Sequence, residues 1–291
     1  MLRGKKPEYA DTKLRLFIYG EYGTGKTTTA IQFPDAYIMD LENGAIKEKY
    51  IDLLNDQNPN AVVYCPHSYD DLIDEIKKLL TLEHSFKSLV IDPLSWLYMH
   101  LKDQAEIFLS KNGKDGSEYG KNTARADKFM YRLFQLIFRL DMNVIVTAQV
   151  KNKYEGTMIS TGLTYDVSKK FGNIFDLVLR SELRGDQHVA YIDKSREKGF
   201  TQGQMMPFNF QEIESRYGKE LLQRLPKAIQ FPSTEELEEF SRLCQLIQVP
   251  DAQIEKWLGE GRCENFDEME ISLFKKCVDK IKSKIKGEAN V

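Results

Sequence analysis

Cysteine is scarce in this chain and poorly spaced for chemistry. Cys65, Cys244, Cys263 and Cys277 form no CxxC pair and no Cys/His ligand set, which argues against a zinc site and against a disulfide framework, and for reduced thiols in a cytosol. No apolar run approaches the length needed to span a bilayer, and the opening stretch MLRGKKPEYADTK has no hydrophobic core of a secretory signal. A soluble, cytoplasmic protein with no membrane partner is therefore expected. Neither sign of charge dominates: 41 Lys and Arg stand against 44 Asp and Glu, for a net charge of −3. That balance excludes a surface coated in basic residues, so any contact with nucleic acid has to come from local patches. The 291 residues suffice for one large α/β domain with a small appendage, or for two modest domains.

What the chain does have is the stretch GEYGTGKT from Gly20 to Thr27, placed directly after the apolar run Leu14, Leu16, Phe17, Ile18, Tyr19. It fits the phosphate-loop pattern of Gly, four residues, Gly, Lys and Ser or Thr, in the strand-to-helix context that the pattern requires. Gly20, Gly23 and Gly25 lack Cβ atoms, so the loop can curl its N–H groups toward a polyphosphate, which the N-terminus of the next helix also attracts. Tyr22 and Thr24 complete the loop. Lys26 is expected to reach the β and γ phosphates, Thr27 to hold Mg²⁺ through its hydroxyl, and Thr28 to lie near the α-phosphate. The cofactors expected are thus ATP and Mg²⁺.

Reading along the chain, strand one runs Lys13 to Tyr19 and the loop leads into a helix from Lys26 to about Phe33, which Pro34 stops. Ala36 to Leu41 reads as a short buried strand that delivers Asp40 and Glu42 to the carboxyl edge of a sheet. After an irregular segment come a strand at Ala61 to Cys65 and an amphipathic helix at Tyr69 to Leu80, with Leu72, Ile73, Ile76, Leu79 and Leu80 on one face. Ser88 to Asp92, SLVID, has the form of a Walker B strand, and Asp92 is the candidate to orient Mg²⁺ through its water shell. Helices are expected at Trp96 to Leu109 and Asp127 to Leu140, separated by a Gly-, Ser- and Asn-rich insert carrying Lys111, Lys114, Lys121 and Arg125. The strand Asn143 to Ala148 ends at Gln149. From Lys151 to Lys170 a second polar segment, with Lys151, Lys153, Lys169 and Lys170, also reads as flexible. Strands Phe175 to Arg180 and Gln187 to Ile192 follow.

These alternations give an α/β core with a mainly parallel sheet between helices over residues 1–205, a connector over 206–232 broken by prolines, and a small helical C-terminal domain over 233–291. Its helices are expected at Glu235 to Ile247, Asp251 to Leu258 and Phe266 to Ile285, the last basic on one side through Lys275, Lys276, Lys280, Lys282, Lys284 and Lys286. Those lysines read equally well as a solvated face or as a DNA or partner surface.

Hydrolysis needs a group to activate water and positive charge near the departing phosphate. Pro93 takes the place beside Asp92 where many ATPases put their catalytic Glu, which leaves Glu42 as the best candidate base, with an ordinary surface acid as the alternative. Gln149 is placed to sense the γ-phosphate, and Lys194 and Arg196 alternate with Ser195 at a strand end, where both can project from one edge.

The order of phosphate loop, strand ending Asp-x-Glu, Walker B without a following Glu, polar loop, strand ending in Gln, second polar loop and Lys-x-Arg strand end resembles the RecA-like recombinase core over Lys13 to Phe200. Within that superfamily the chain is most similar to compact phage-type AAA-family nucleotide-binding proteins, among them the RecA-like single-strand annealing proteins. The resemblance implies an ATPase that binds single-stranded DNA and promotes annealing or recombination. It further implies that Glu42 is the base, that Gln149 couples nucleotide state to the second loop, and that Lys194 and Arg196 act on a neighbouring subunit's γ-phosphate within a homo-oligomer. The DNA contacts it implies are the lysines of the two loops together with Arg125, with Tyr119 or Tyr154 for base stacking and a single-stranded-DNA-binding protein as a further partner. The chain departs from the pattern in a first loop that is not strongly basic and in the absence of the large N-terminal helix of bacterial RecA. Two other readings stand beside it: a P-loop motor or loader acting on a protein partner in DNA replication or repair, and a small-molecule kinase, which the missing arginine-rich lid disfavours.

Overall fold

The computed structural model describes residues 12–112, 120–154, 160–227 and 229–288. Among them, residues 12–74 and 84–226 form one compact unit, and residues 75–83 with 227–288 form another.

The larger unit is built on β1 (Arg15–Gly20), β2 (Ala36–Asp40), β3 (Val62–Tyr64), β4 (Ser88–Asp92), β5 (Asn143–Ala148), β8 (Leu177–Arg184), β9 (Gln187–Ser195) and β10 (Met205–Pro207), which form an eight-stranded sheet in the order β10-β9-β8-β1-β5-β4-β2-β3. From β8 to β3 every neighbour is parallel, and only β9 runs against the rest, antiparallel to both β8 and β10. Strands buried on both faces of such a sheet read as continuous apolar runs, and every residue of β4 and β5 is buried. The helices are α1 (Lys26–Ala30), α2 (Glu48–Gln57), α3 (Tyr69–Thr81), α4 (Leu94–Lys111), α5 (Lys121–Ile137), α6 (Phe210–Tyr217) and α7 (Lys219–Gln223). This is the mainly parallel α/β architecture expected of the sequence. Because β5 lies between β1 and β4, the carboxyl ends of β1, β5, β4 and β2 come together at one rim of the sheet, where a strand order of this kind opens a crevice for ligand.

The periodicity of α3 holds: Leu72, Ile73, Ile76, Leu79 and Leu80 are all buried. Three expectations change. Residues taken as irregular after Glu42 contain α2, in which Leu54 is the one buried residue. The end of the first insert is helical, since α5 begins at Lys121, six residues ahead of the expected start at Asp127. The second polar segment is not a loop along its length: β6 (Val150–Tyr154) and β7 (Ser160–Tyr165) pair antiparallel as a separate two-stranded ladder, with β-branched and aromatic residues alternating among its polar ones. Lys114 and Tyr119 lie outside the described residues, as do the side chains of Tyr154 and Lys286.

An aromatic group ties this ladder to the sheet. The Tyr165 ring meets Phe17 and Tyr19 of β1 edge-on at centroid distances of 5.1 and 5.2 Å. Phe17 also stacks on Phe175 at 5.2 Å, a packing mode worth roughly 0.5–1.5 kcal/mol per pair beyond the area buried.

The smaller unit is helical, with α8 (Thr234–Leu246), α9 (Asp251–Gly261), a 3₁₀ turn at Phe266–Glu268 and α10 (Ile271–Glu288). Ser233 and Glu236 form a reciprocal capping box at the start of α8. Phe240, Trp257, Met269, Phe274 and Ile281 make its core, and the buried Glu268 carboxylate is paired with Lys77 at 3.0 Å.

Candidate nucleotide-binding site

A cavity of about 490 Å³ opens at the carboxyl rim of the large sheet and is lined by Tyr22, Gly23, Gly25, Lys26, Thr27 and Thr28, by Asp40, Glu42 and Asp92 from the neighbouring strand ends, and by Gln149 and His188 among others. The loop takes the conformation its glycines permit. Gly23 and Gly25 have φ of 74° and 88°, a region costly for residues bearing a Cβ. Gly20 is constrained differently: a Cβ there would collide with the Ser181 hydroxyl and main-chain carbonyl.

At the inner end, Thr27 Oγ1 donates to Asp92 Oδ2 at 2.6 Å, and Thr147 Oγ1 donates to Asp92 Oδ1. Burial pushes the Asp92 carboxyl above the usual carboxylate range, a shift that the hydroxyl bonds from Thr147 and Thr27 oppose. Asp40 stands beside Asp92 in the β2–β4 register and accepts the backbone N–H groups of Glu42, Gly44 and Ala45 at 3.2, 3.0 and 2.7 Å. That turn fixes where Glu42 emerges from the end of β2. The Glu42 carboxyl is also raised, first by burial and then by the charges of Asp92 and Asp40, against the opposing charge of Lys26. Gln149 Nε2 donates to Glu42 Oε1 at 3.2 Å, and Tyr22 Oη donates to Gln149 Oε1 at 2.8 Å. Glu42, Gln149, Asp92 and Thr27, far apart in sequence, thus share one cavity.

Lys26 is held within the loop, where its ammonium donates to the carbonyls of Gly20 at 2.9 Å and Glu21 at 2.7 Å. Burial lowers its pKa, while Asp92, Glu42 and Glu21 work the other way. Thr28 lines the cavity and gives its carbonyl to Gln32 Nε2 at 2.6 Å. Thr24 faces away: it is buried, donates to the Glu21 carbonyl at 2.8 Å and meets the Ser181 hydroxyl at 2.8 Å.

The donor chemistry suits a magnesium ion. Thr27 and Asp92 offer hard oxygen donors, and Mg²⁺ is commonly held by one or two protein groups together with water and phosphate oxygens rather than by a dedicated cage. Among the described residues no cluster of three or more His, Cys, Asp or Glu forms such a cage.

The remaining sequence candidates lie elsewhere. Lys194 Nζ donates to the carbonyls of Gly172, Asn173 and Phe175 at 3.2, 2.8 and 2.5 Å, and burial, followed by the Arg196 charge, lowers its pKa. Arg196 pairs with Asp176 at 2.9 Å, with its side chain 58% exposed. Neither lines the cavity of its own chain. Lys111 is exposed at the end of α4 and Lys121 is exposed at the start of α5. Arg125 stacks over Phe108 at 3.8 Å. Lys151 pairs with Asp166 at 3.0 Å, Lys153 is half-buried in β6, Lys169 is exposed, and Lys170 stands 4.0 Å from Asp127.

Sequence reading missed Thr147, Ser95, Ser181 and His188. Thr147 had a signal, as the one hydroxyl inside the apolar strand NVIVTA. Ser95 accepts the Gln149 N–H at 3.2 Å. His188 also lines the cavity, its ring within 3.3–3.6 Å of the position a Cβ would take on Gly25, and nothing in its local sequence marks it.

Residues 12–201 match the family described as AAA domain. No curated protein matches the chain. Among solved structures, the crystal structure of the RadB recombinase is similar at a TM-score of 0.44 and 19% identity, over 68% of this chain and 87% of that one.

Proposed function

The chain belongs to the AAA domain family, and from that premise we propose that it is a RecA-like, Mg²⁺-dependent ATPase that binds single-stranded DNA and promotes annealing or recombination, working as a homo-oligomer of the phage type. The observation that carries this reading is the convergence of Glu42, Gln149, Thr27 and Asp92 on the phosphate-loop cavity, with Gln149 immediately preceding the lysine-bearing β6.

In this reading the N–H groups of the loop and of the first turn of α1 bind the polyphosphate. Lys26 exchanges its loop carbonyls for phosphate oxygens and brings positive charge to the end that becomes more anionic as the bond breaks. Glu42 accepts a proton from the attacking water, and its raised pKa brings it nearer the operating pH of a general base. Thr27 and Asp92 would hold Mg²⁺, which supplies charge neutralisation at the phosphates when bound. Thr147 keeps Asp92 oriented. The exposed or half-exposed lysines of the ladder and of the α4–α5 region, with Arg125, contact the DNA backbone, so binding weakens steeply with salt. Lys194 and Arg196 serve a neighbouring subunit's nucleotide.

The deciding experiment is the ATPase rate with and without single-stranded DNA, for the wild type and Glu42→Gln. A DNA-stimulated rate that the substitution abolishes supports the reading, whereas no turnover, or turnover indifferent to both DNA and Glu42, rejects it.

A further inference from the structure

Tyr22 is 79% exposed on the phosphate loop, yet its hydroxyl has a defined partner in the Gln149 side-chain carbonyl. The chemistry of the amide makes this contact directional. A carboxylate only accepts, so the amide end facing Glu42 is the NH₂ group, and the end left toward Tyr22 is the oxygen, which takes a donated hydroxyl. The Gln149 main chain is fastened separately. Its N–H reaches Ser95 Oγ at 3.2 Å, and its carbonyl accepts from Asp166 N at 2.8 Å, at the root of the β6–β7 ladder beside the Val150–Tyr165 pair. Backbone and side chain of this one residue therefore join three things: the root of the ladder, the candidate base and the phosphate loop.

We propose that Tyr22 is a positioning residue: its hydroxyl holds the Gln149 amide against Glu42 and so links the occupancy of the phosphate loop to the β6–β7 ladder. The inference rests on the proposed ATPase reading. Without the hydroxyl, the Gln149 side chain loses one of its two hydrogen bonds, and Glu42 loses a steady donor. The phosphate cradle is left intact because it is made of backbone N–H groups and Lys26. The effect should therefore fall on turnover rather than on nucleotide affinity.

The test is a double-mutant cycle with Tyr22→Phe, Gln149→Leu and the double variant, measuring kcat, KM and ATP affinity, together with hydrogen exchange of residues 150–154 and 160–165 with and without ATP. A single hydrogen bond of ordinary strength predicts a kcat about fivefold lower in Tyr22→Phe, with affinity held within about twofold. The double variant should be no slower than Gln149→Leu alone. The ATP-dependent change in ladder exchange seen in the wild type should be lost in Tyr22→Phe. Additive effects, a loss confined to affinity, or an unaltered exchange response in Tyr22→Phe overturns the proposal while leaving the ATPase reading standing. A wild type that binds and hydrolyses no ATP overturns both.

Discussion

Two ionisable groups of the larger unit, Asp92 at the end of β4 and Lys194 near the end of β9, are built on the same principle and reach opposite ends. Asp92 is buried and Lys194 half-buried, and each is supplied with partners from its own chain, two hydroxyls for Asp92 and three carbonyls for Lys194. In both, burial moves the pKa toward the neutral form. The difference lies in what shares the space. Around Asp92 the neighbours are a phosphate loop, a second acid and a glutamine, all opening on one cavity. Around Lys194 the neighbours are the turn at Phe171–Asn173 and the Arg196–Asp176 pair. Satisfying a desolvated polar group is a structural necessity at both places, and within one chain only Asp92 opens on the phosphate-loop cavity.

That contrast can be tested from its strongest side to its weakest. Glu42→Gln should lower kcat by about 10²–10⁴-fold with little change in fold, the range for loss of a general base, read by steady-state ATPase kinetics. The wild-type profile sharpens the same point. Because the Glu42 pKa is raised in the folded protein, activity should be lost as pH falls through a value above the ordinary carboxylate range near about 4.3, and this acid limb should be absent from the residual rate of Glu42→Gln. Lys26→Ala should weaken ATP binding by about 10–100-fold, as expected for charge-assisted hydrogen bonds worth roughly 1.5–3 kcal/mol, measured by calorimetry. Thr147→Val removes one of the two donors to a buried carboxylate and should lower stability by about 1–3 kcal/mol, seen in denaturant unfolding. Arg196→Ala should cost less than about 1 kcal/mol, since the guanidinium that pairs with Asp176 is exposed to solvent. If Arg196 serves a neighbouring subunit, the same variant should lose ATPase activity at protein concentrations where the wild type is assembled. Unchanged turnover there would leave the Lys194 end purely structural.

The sheet was readable in the sequence because parallel strands buried on both faces leave short apolar runs, and because GEYGTGKT and SLVID each mark the carboxyl end of a strand. The amphipathic stripe of α3 was legible for the same reason, being a periodic consequence of burial. Less visible was anything whose cause is not local. The pairing of β6 with β7 depends on a partner strand that the polar residues of either strand do not reveal. In the site, the residue types at strand ends pointed to Asp92, Glu42 and Gln149. Their hydrogen bonds to Thr147 and Tyr22 depend on the order in which strands lie side by side, which no single stretch encodes.

Tyr165 gives the small ladder a mechanical character. Its ring is wedged against Phe17 and Tyr19 on the strand that runs directly into Gly20, so the ladder does not hang from its two peptide connections alone. It is braced on β1 by rings one and three residues ahead of Gly20, where the phosphate loop begins.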